Sequence, residues 1–164
     1  MARNVVFDLM VVRALAQEAL GQRADLHDFL VGLTARLGCP VKVNGQKSAT
    51  LFAVIPAHAE RHVVSVLRRD YGARQDQAVW ATRLAIRRLV GNSGMVAAPP
   101  QPRRTWSPYN TGAEDHQVLL TAVAVRGALV TSDVNLRRWA AREHLPAFSP
   151  EGLLAAVEPD FGSL

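Results

Sequence analysis

The segment Thr111–Leu136, TGAEDHQVLLTAVAVRGALVTSDVNL, combines a helical pattern, a strand pattern and three acidic residues. Its first half begins with Glu114 and Asp115 and continues with apolar residues at helical spacing, which predicts a helix with one apolar face. Its second half contains a short apolar run, Ala128–Thr131, followed by Asp133. Ligands of α/β sheets bind beyond the carboxyl ends of parallel strands and at helix N-termini. We therefore expect Asp115 and Asp133 to meet in a cleft, where two repelling carboxylates favour a divalent cation.

Length and composition predict one globular domain spanning residues 1–164, with 49% hydrophobic residues. No apolar run approaches the roughly 20 residues that a membrane helix requires, so no membrane association is expected. Asp8 and Arg13 interrupt the hydrophobic stretch near the N-terminus, which is not the layout of a signal peptide. The single cysteine, Cys39, excludes a disulfide within the chain and a four-cysteine zinc site. A reducing, cytoplasmic location is the expectation.

The chain is basic, with 19 Lys and Arg residues, 14 Asp and Glu residues and a formal net charge of +5. A positive charge attracts nucleic acid. Seventeen of the 19 basic residues are arginine, however, which also fits a bias in genome base composition. Both interpretations stay open on the sequence.

Short strand patterns alternate with longer helical ones along the chain, which favours an α/β fold around a mostly parallel sheet. The region Cys39–Thr50 is predicted to be a loop or a small hairpin because it contains Pro40 and Asn44-Gly45. The predicted strands are Asn4–Phe7, Leu51–Ile55, Met95–Ala98, Ala128–Thr131 and Pro146–Phe148. The predicted helices are Leu9–Leu20, Asp25–Leu37 with Asp25 as cap, Ala57–Arg69 opened by Pro56, Gln75–Val90, Val134–Glu143 and Pro150–Val157 with Ser149 as cap.

Four acidic residues occupy positions from which they can gather at one edge of that sheet. Asp8 and Asp133 each follow a predicted strand, and Glu60 and Asp115 lie near predicted helix N-termini. Each also has a plain structural role open to it. Asp8 and Asp133 suit helix N-caps, Asp115 suits the electrostatics of a helix start, and Glu60 suits a solvated helix surface.

The chain resembles the PIN-domain nucleases. The segments that carry the resemblance are VVFDLMVVRAL (Val5–Leu15), IPAHAERHVVSVL (Ile55–Leu67), EDHQVLLTAVAVRGALVTSD (Glu114–Asp133) and HLPAFSPEGLL (His144–Leu154). They look like the opening strand–Asp–helix of the family, the helix that brings its Glu, its acidic helix with the following Thr-x-Asp strand, and its closing strand, turn and helix. The resemblance implies a PIN-like three-layer α/β domain, with a central, mostly parallel sheet flanked by helices.

The resemblance also implies an activity and partners. PIN domains hold one or two Mg²⁺ or Mn²⁺ ions with clustered carboxylates and cleave RNA, and the ligands and catalytic residues here would be Asp8, Glu60, Asp115 and Asp133. Glu114 would be a further ligand or a nearby base. The size and layout are similar to those of the toxin of a toxin–antitoxin pair, which implies a small protein antitoxin and a homodimer.

Two departures from the family pattern favour an alternative. The first motif of the family is typically Asp-Thr-Asn, whereas Leu9 and Met10 follow Asp8 here. A further Asp often follows the Thr-x-Asp aspartate by two residues, and that position holds Asn135, which offers an uncharged carbonyl oxygen. Because fewer anionic ligands bind a cation more weakly, the alternative is a degenerate PIN-like module that binds RNA or protein without cleaving.

The loop Pro99–Asn110 supplies candidate RNA contacts, since it combines cationic and aromatic side chains that suit phosphates and bases. Trp106 of this loop equally suits a role in fixing the loop to the core. The candidates are Arg103, Arg104, Trp106 and Tyr109. No role is predicted for the histidines His58, His62, His116 and His144.

Overall fold

A computed structural model describes residues 2–22, 26–46, 48–91, 94–97 and 113–160. The strands are β1 (Ala2–Phe7), β2 (Pro40–Val43), β3 (Ser48–Pro56), β4 (Met95–Ala97), β5 (Ala128–Val130), β6 (Ala147–Phe148) and β7 (Val157–Pro159). The helices are α1 (Leu9–Ala19), α2 (His27–Arg36), α3 (Ala59–Tyr71), α4 (Gln75–Val90), α5 (Ala113–Val125), α6 (Val134–Arg142) and α7 (Pro150–Ala156).

All of these strands belong to one sheet, in the order β6-β5-β1-β3-β2-β7, with β4 paired to the last residues of β3. The pairs β1–β3, β1–β5, β3–β4 and β5–β6 are parallel, and β2 is antiparallel to β3 and β7. The predicted α/β fold, a mostly parallel sheet flanked by helices, is confirmed.

The central strands of the sheet consist of apolar residues, and helices cover them on both faces, as is usual for parallel strands. The β1 residues Val5, Val6 and Phe7 and the β5 residues Leu129 and Val130 are all buried. Helices α1, α3 and α4 pack against one another, while α5 contacts α6 and α2 contacts α7. In the described parts of the chain, no helix has the length and apolar character needed to cross a membrane.

The region Cys39–Thr50 forms a hairpin, one of the two predicted outcomes. β2 and β3 are joined through Asn44 and Gly45, whose φ angles of 52° and 70° are those that an Asn-Gly hairpin turn requires. The edge strand β7, next to β2, was not predicted. Two helix starts differ from the prediction. Pro56 ends β3 and pairs with Ala97 of β4, so α3 begins later, and α2 begins at His27 with Leu26 at its N-cap. The predicted cap Asp25 lies outside the described residues.

Candidate active site

The carboxyl ends of β1 and β5 bring Asp8 and Thr131 together. The two strands pair in parallel up to Phe7 and Val130, and the Asp8 N–H continues the ladder by donating to the Val130 carbonyl at 3.0 Å. Asp8 is also the N-cap of α1, since its Oδ1 accepts from the Leu9 N–H at 2.7 Å. Its Oδ2 accepts from the Thr131 hydroxyl at 2.5 Å. Asp8 is therefore a buried carboxylate held by two donors.

Thr131 links Asp8 to Asp133. The Thr131 Oγ1 accepts from the Asp133 N–H at 3.1 Å while it donates to Asp8. Asp133 is the N-cap of α6, because its Oδ1 accepts from the Asn135 N–H at 2.8 Å and the Leu136 N–H at 3.2 Å. The capping roles considered for Asp8 and Asp133 thus exist, and the Thr131 hydroxyl connects the Asp8 carboxylate to the Asp133 N–H at one edge of the sheet.

Asp115, near the start of α5, shares a cavity with Asp8. Both line a cavity of about 240 Å³, which we call the Asp8 cavity and which is bounded by residues from α1, α3 and α5. Its walls also carry a thioether, a guanidinium and an imidazole. The residues lining it are Asp8, Leu9, Met10, Arg13, His62, Val63, Val66 and Asp115.

Burial raises the pKa of Asp8 above its ordinary value, since desolvation penalises the charged form. The hydrogen bonds from Thr131 and the Leu9 N–H oppose that rise, the negative charge of Asp133 adds to it, and the positive charge of Arg13 opposes it. The carboxylate is therefore one whose charge a bound cation would stabilise.

Glu60 does not lie in this cavity. Its carboxylate makes an ion pair with Arg83 of α4 and lines a separate groove between α3 and α4. Successive helical residues are rotated by about 100°, so two residues along α3 the side chain faces the opposite way. His62 is at that position and lines the Asp8 cavity. The metal-ligand role of Glu60 stays a prediction, and the geometry favours His62 as the α3 residue of the cavity.

Met10 and Arg13 are cavity residues that sequence reasoning gave no positive role. Met10 Sδ accepts from the Ser132 N–H at 3.3 Å, so the thioether reaches the turn between Thr131 and Asp133. Arg13 is the only charged residue in the run Leu9–Ala16 of α1, where most residues are buried. A single charge in an apolar helical run was the available signal, because a charge next to buried apolar residues is costly and so marks a position of interest. Arg13 is half-buried, and its Nε is buried without a hydrogen-bond partner among the described residues.

Several predicted residues fall beyond what can be described. The side chain of Glu114 and the loop residues Arg103, Arg104, Trp106 and Tyr109 lie outside the described residues. Asn135 is described and is exposed at the start of α6, where its N–H donates to Asp133.

Comparison with solved structures finds proteins of similar layout. One is a PilT N-terminus domain protein from the hyperthermophilic archaeon Sulfolobus solfataricus P2, with 16% identity, a TM-score of 0.44 and coverage of 93% of this chain and 91% of that chain. Another is a domain of a functionally unknown protein from Methanocaldococcus jannaschii DSM 2661, with 16% identity, a TM-score of 0.49 and coverage of 90% of both chains. No protein-family model and no curated protein matches the chain.

Proposed function

We propose that the protein is a PIN-type endoribonuclease that depends on Mg²⁺ or Mn²⁺. The observation that supports this most directly is the grouping of three aspartates around the ends of β1 and β5. Asp8 and Asp133 are joined through the Thr131 hydroxyl, and Asp115 faces the same cavity as Asp8. Asp8 and Asp115 line one cavity, and the charge of Asp133 acts on Asp8, so a divalent cation would stabilise this acidic group.

The carboxylate oxygens of the site are the type of ligand that a hard cation binds, but they are few. Carboxylate oxygens are the ligands that Mg²⁺ and Mn²⁺ prefer. Among the side chains the structure describes, no group of three or more His, Cys, Asp and Glu residues is arranged to hold one ion. Mg²⁺ usually keeps several waters and binds through one or two carboxylates plus substrate phosphates. A site supplied by Asp8 and Asp115, with Asp133 beside it, meets that minimum.

In this proposal each residue of the site has a defined task. Asp8 and Asp115 hold the cation, Thr131 fixes the orientation of the Asp8 carboxylate, and Asp133 adds negative charge next to it. The bound cation would supply activation of water and stabilisation of charge on the phosphate. Arg13 lines the same cavity, and its guanidinium would bind the scissile phosphate there.

The finer expectations of the resemblance belong to this proposal as well. A toxin would have a small protein antitoxin and, in this family, a homodimeric assembly. The loop residues Arg103, Arg104, Trp106 and Tyr109 are proposed RNA contacts.

A second function, recognition of RNA or protein without cleavage, is favoured by the non-carboxylate side chains of the cavity. Met10 fills the position where the family pattern has Asn, and its sulfur accepts from Ser132. Arg13 provides a positive charge close to Asp8 that belongs to the protein itself. An internal cation weakens the electrostatic need for an external one.

The deciding experiment is a calorimetric titration with Mn²⁺ and Mg²⁺, followed by an RNA cleavage assay on the same samples. The test variant is Asp8→Asn/Asp133→Asn, which removes two charges and keeps residues that can cap helices. The matched control is Asp28→Asn/Glu151→Gln, which removes two exposed acidic charges on α2 and α7. We expect the wild type and the control to bind metal and cleave RNA. We expect the test variant to lose at least about tenfold in metal affinity, together with cleavage.

Wild-type protein that neither binds either ion at millimolar concentration nor cleaves RNA would contradict the nuclease and leave the recognition module. Metal binding without cleavage of any RNA would indicate a metal site without catalysis. Equal losses in both double variants would show that net charge, rather than the Asp8 cavity, governs binding.

A further inference from the structure

A second concave surface, which we call the arginine groove, lies between α3 and α4. It has a volume of about 660 Å³ and is lined mainly by polar and charged side chains. Four arginines, Arg61, Arg68, Arg69 and Arg83, line it together with a single acidic residue, Glu60, so its lining carries a net charge of +3. This concentration of positive charge is separate from the Asp8 cavity and has no part in the proposed chemistry.

The arginines of the groove are directed to solvent. Arg69 and Arg83 have side-chain exposures of 68% and 65%, and Arg61 and Arg68 are exposed as well. Arg83 pairs with Glu60 across the groove, and Arg69 pairs with its neighbour Asp70. Among the described residues, Arg61 and Arg68 therefore supply most of the excess positive charge. Arg61 and Arg69 are eight residue steps apart on α3, or about 12 Å, which is long enough to follow several consecutive groups of a polymeric ligand.

Exposed aromatic residues lie beside these arginines. Trp80 is 55% exposed and stands three residues before Arg83, so the two side chains share one face of α4. Tyr71 is 40% exposed and stands three residues after Arg68 on α3. Large exposed aromatics next to arginines are the combination with which proteins hold single-stranded nucleic acid, through base stacking and phosphate contacts.

We propose that the arginine groove binds the backbone of single-stranded nucleic acid, with Trp80 stacking on a base at its edge. An acidic polypeptide would match the charge but would leave the exposed Trp80 without a planar partner. Arginine suits the assignment because its planar guanidinium binds phosphate through two hydrogen bonds and stacks on flat rings. The proposal rests on the proposed function only for the choice of RNA over DNA as the natural strand.

The test is a fluorescence anisotropy titration of a short labelled oligouridylate in EDTA, so that neither metal binding nor cleavage contributes. The groove variant is Arg61→Gln/Arg68→Gln. The matched control, Arg138→Gln/Arg142→Gln, makes the same charge change at two exposed arginines of α6. We expect the groove variant to bind about tenfold more weakly at low salt. We also expect the slope of log affinity against log salt concentration to become shallower by about 1.4, or about 0.7 per lost phosphate contact.

The control should keep its affinity within about twofold and retain the wild-type salt slope. Equal weakening in both double variants would overturn the proposal, because it would show diffuse attraction by the net charge. Failure of the wild type to bind would overturn it too. Thermal unfolding of each variant identifies any loss that comes from misfolding.

Two further measurements identify the ligand. Trp80→Ala should weaken binding about tenfold with an unchanged salt slope, since stacking is not electrostatic. An oligothymidylate in place of the oligouridylate reports whether the groove distinguishes RNA from DNA. Polyglutamate that displaces the oligonucleotide and binds more tightly would contradict the proposal and assign the groove to an acidic protein.

Discussion

Helix α3 separates an acidic cavity, in which Asp8 is buried, from a basic groove whose arginines are exposed. On one side, His62 and Val66 line the Asp8 cavity, where Asp8 and Asp115 lie. On the other, Arg61 and Arg68 line the arginine groove, where exposed cations predominate. The buried apolar stripe of α3 includes Leu67 and Val63, and Val63 also forms part of the cavity wall.

The two surfaces differ in how strongly their polar groups are constrained. In the Asp8 cavity, both carboxylate oxygens of Asp8 already accept a hydrogen bond, and Thr131 is fully buried. Buried networks of this kind are costly to disturb, because a lost partner leaves a desolvated group behind. In the groove, the Glu60–Arg83 pair is exposed, and exposed pairs contribute little to stability. Disturbance should therefore alter stability on the cavity side and ligand affinity on the groove side.

The largest effect on stability is expected from Thr131→Val, which preserves volume and removes the hydroxyl between Asp8 and Asp133. The substitution leaves the Asp8 Oδ2 without its donor, while Oδ1 keeps the Leu9 N–H, and it leaves the Asp133 N–H without its acceptor. We expect a loss of about 2 kcal/mol in the free energy of unfolding, measured by urea denaturation.

Thr121→Val is the matched control for that experiment. Thr121 is also fully buried, but its hydroxyl donates only to the Gln117 carbonyl one turn earlier in α5. A loss below about 1 kcal/mol is expected there. Equal losses in the two variants would mean that the Thr131 bridge contributes no more than an ordinary helical hydroxyl.

A smaller, pH-dependent effect is expected from Asp8→Asn, measured in EDTA by unfolding at several pH values. Because burial raises the pKa of Asp8 in the folded state, folding favours its protonated form. The stability contributed by that form is complete below the unfolded-state pKa and is lost as the pH rises through the folded-state pKa. The D8N variant cannot ionise at this position. Its free energy of unfolding relative to the wild type should therefore increase from acidic to neutral pH.

Asp70→Asn supplies the opposite sign. The hydrogen bond from Arg69 lowers the pKa of Asp70, so its carboxylate contributes stability above the unfolded-state pKa and loses it as the pH falls through the folded-state pKa. The D70N variant should lose stability relative to the wild type as the pH rises. A relative stability of D8N that falls with rising pH would contradict the assignment of Asp8 as a carboxylate destabilised by burial.

Much of this arrangement could be predicted from the sequence, because the signals are local. The helix Gln75–Val90 has the predicted bounds, and Ser149 caps the last helix by accepting from the Gly152 N–H at 3.0 Å. Asp8 and Asp133 follow short apolar strands, and parallel strands end at the same edge of a sheet. That general geometry predicts that the two residues lie at the same edge, where Thr131 connects them.

The sequence could not show which element of the fold packs beside each flank of the apolar face of a helix. The buried residues Val63 and Leu67 define the inward face of α3, and Glu60 and His62 border it on opposite sides. The helical periodicity of the sequence does not distinguish Glu60 from His62. The difference arises because α4 packs beside Glu60, while His62 lines the cavity. The sequence pattern therefore favours Glu60, which resembles the family residue, and it gives no signal for His62 two positions later.

The smallest effect is expected from Glu60→Gln, and it distinguishes those two borders. The Glu60–Arg83 pair is exposed, so the change in the free energy of unfolding should stay below about 0.5 kcal/mol. Because Glu60 lines the arginine groove and His62 lines the Asp8 cavity, Mn²⁺ titration should give the wild-type affinity for E60Q and a changed affinity for H62A. A lower Mn²⁺ affinity in E60Q with no change in H62A would identify Glu60 as a ligand. That outcome would require α3 to rotate when metal binds. Helix rotation of that size would disrupt the buried contacts of Val63 and Leu67, so the geometry favours the first outcome.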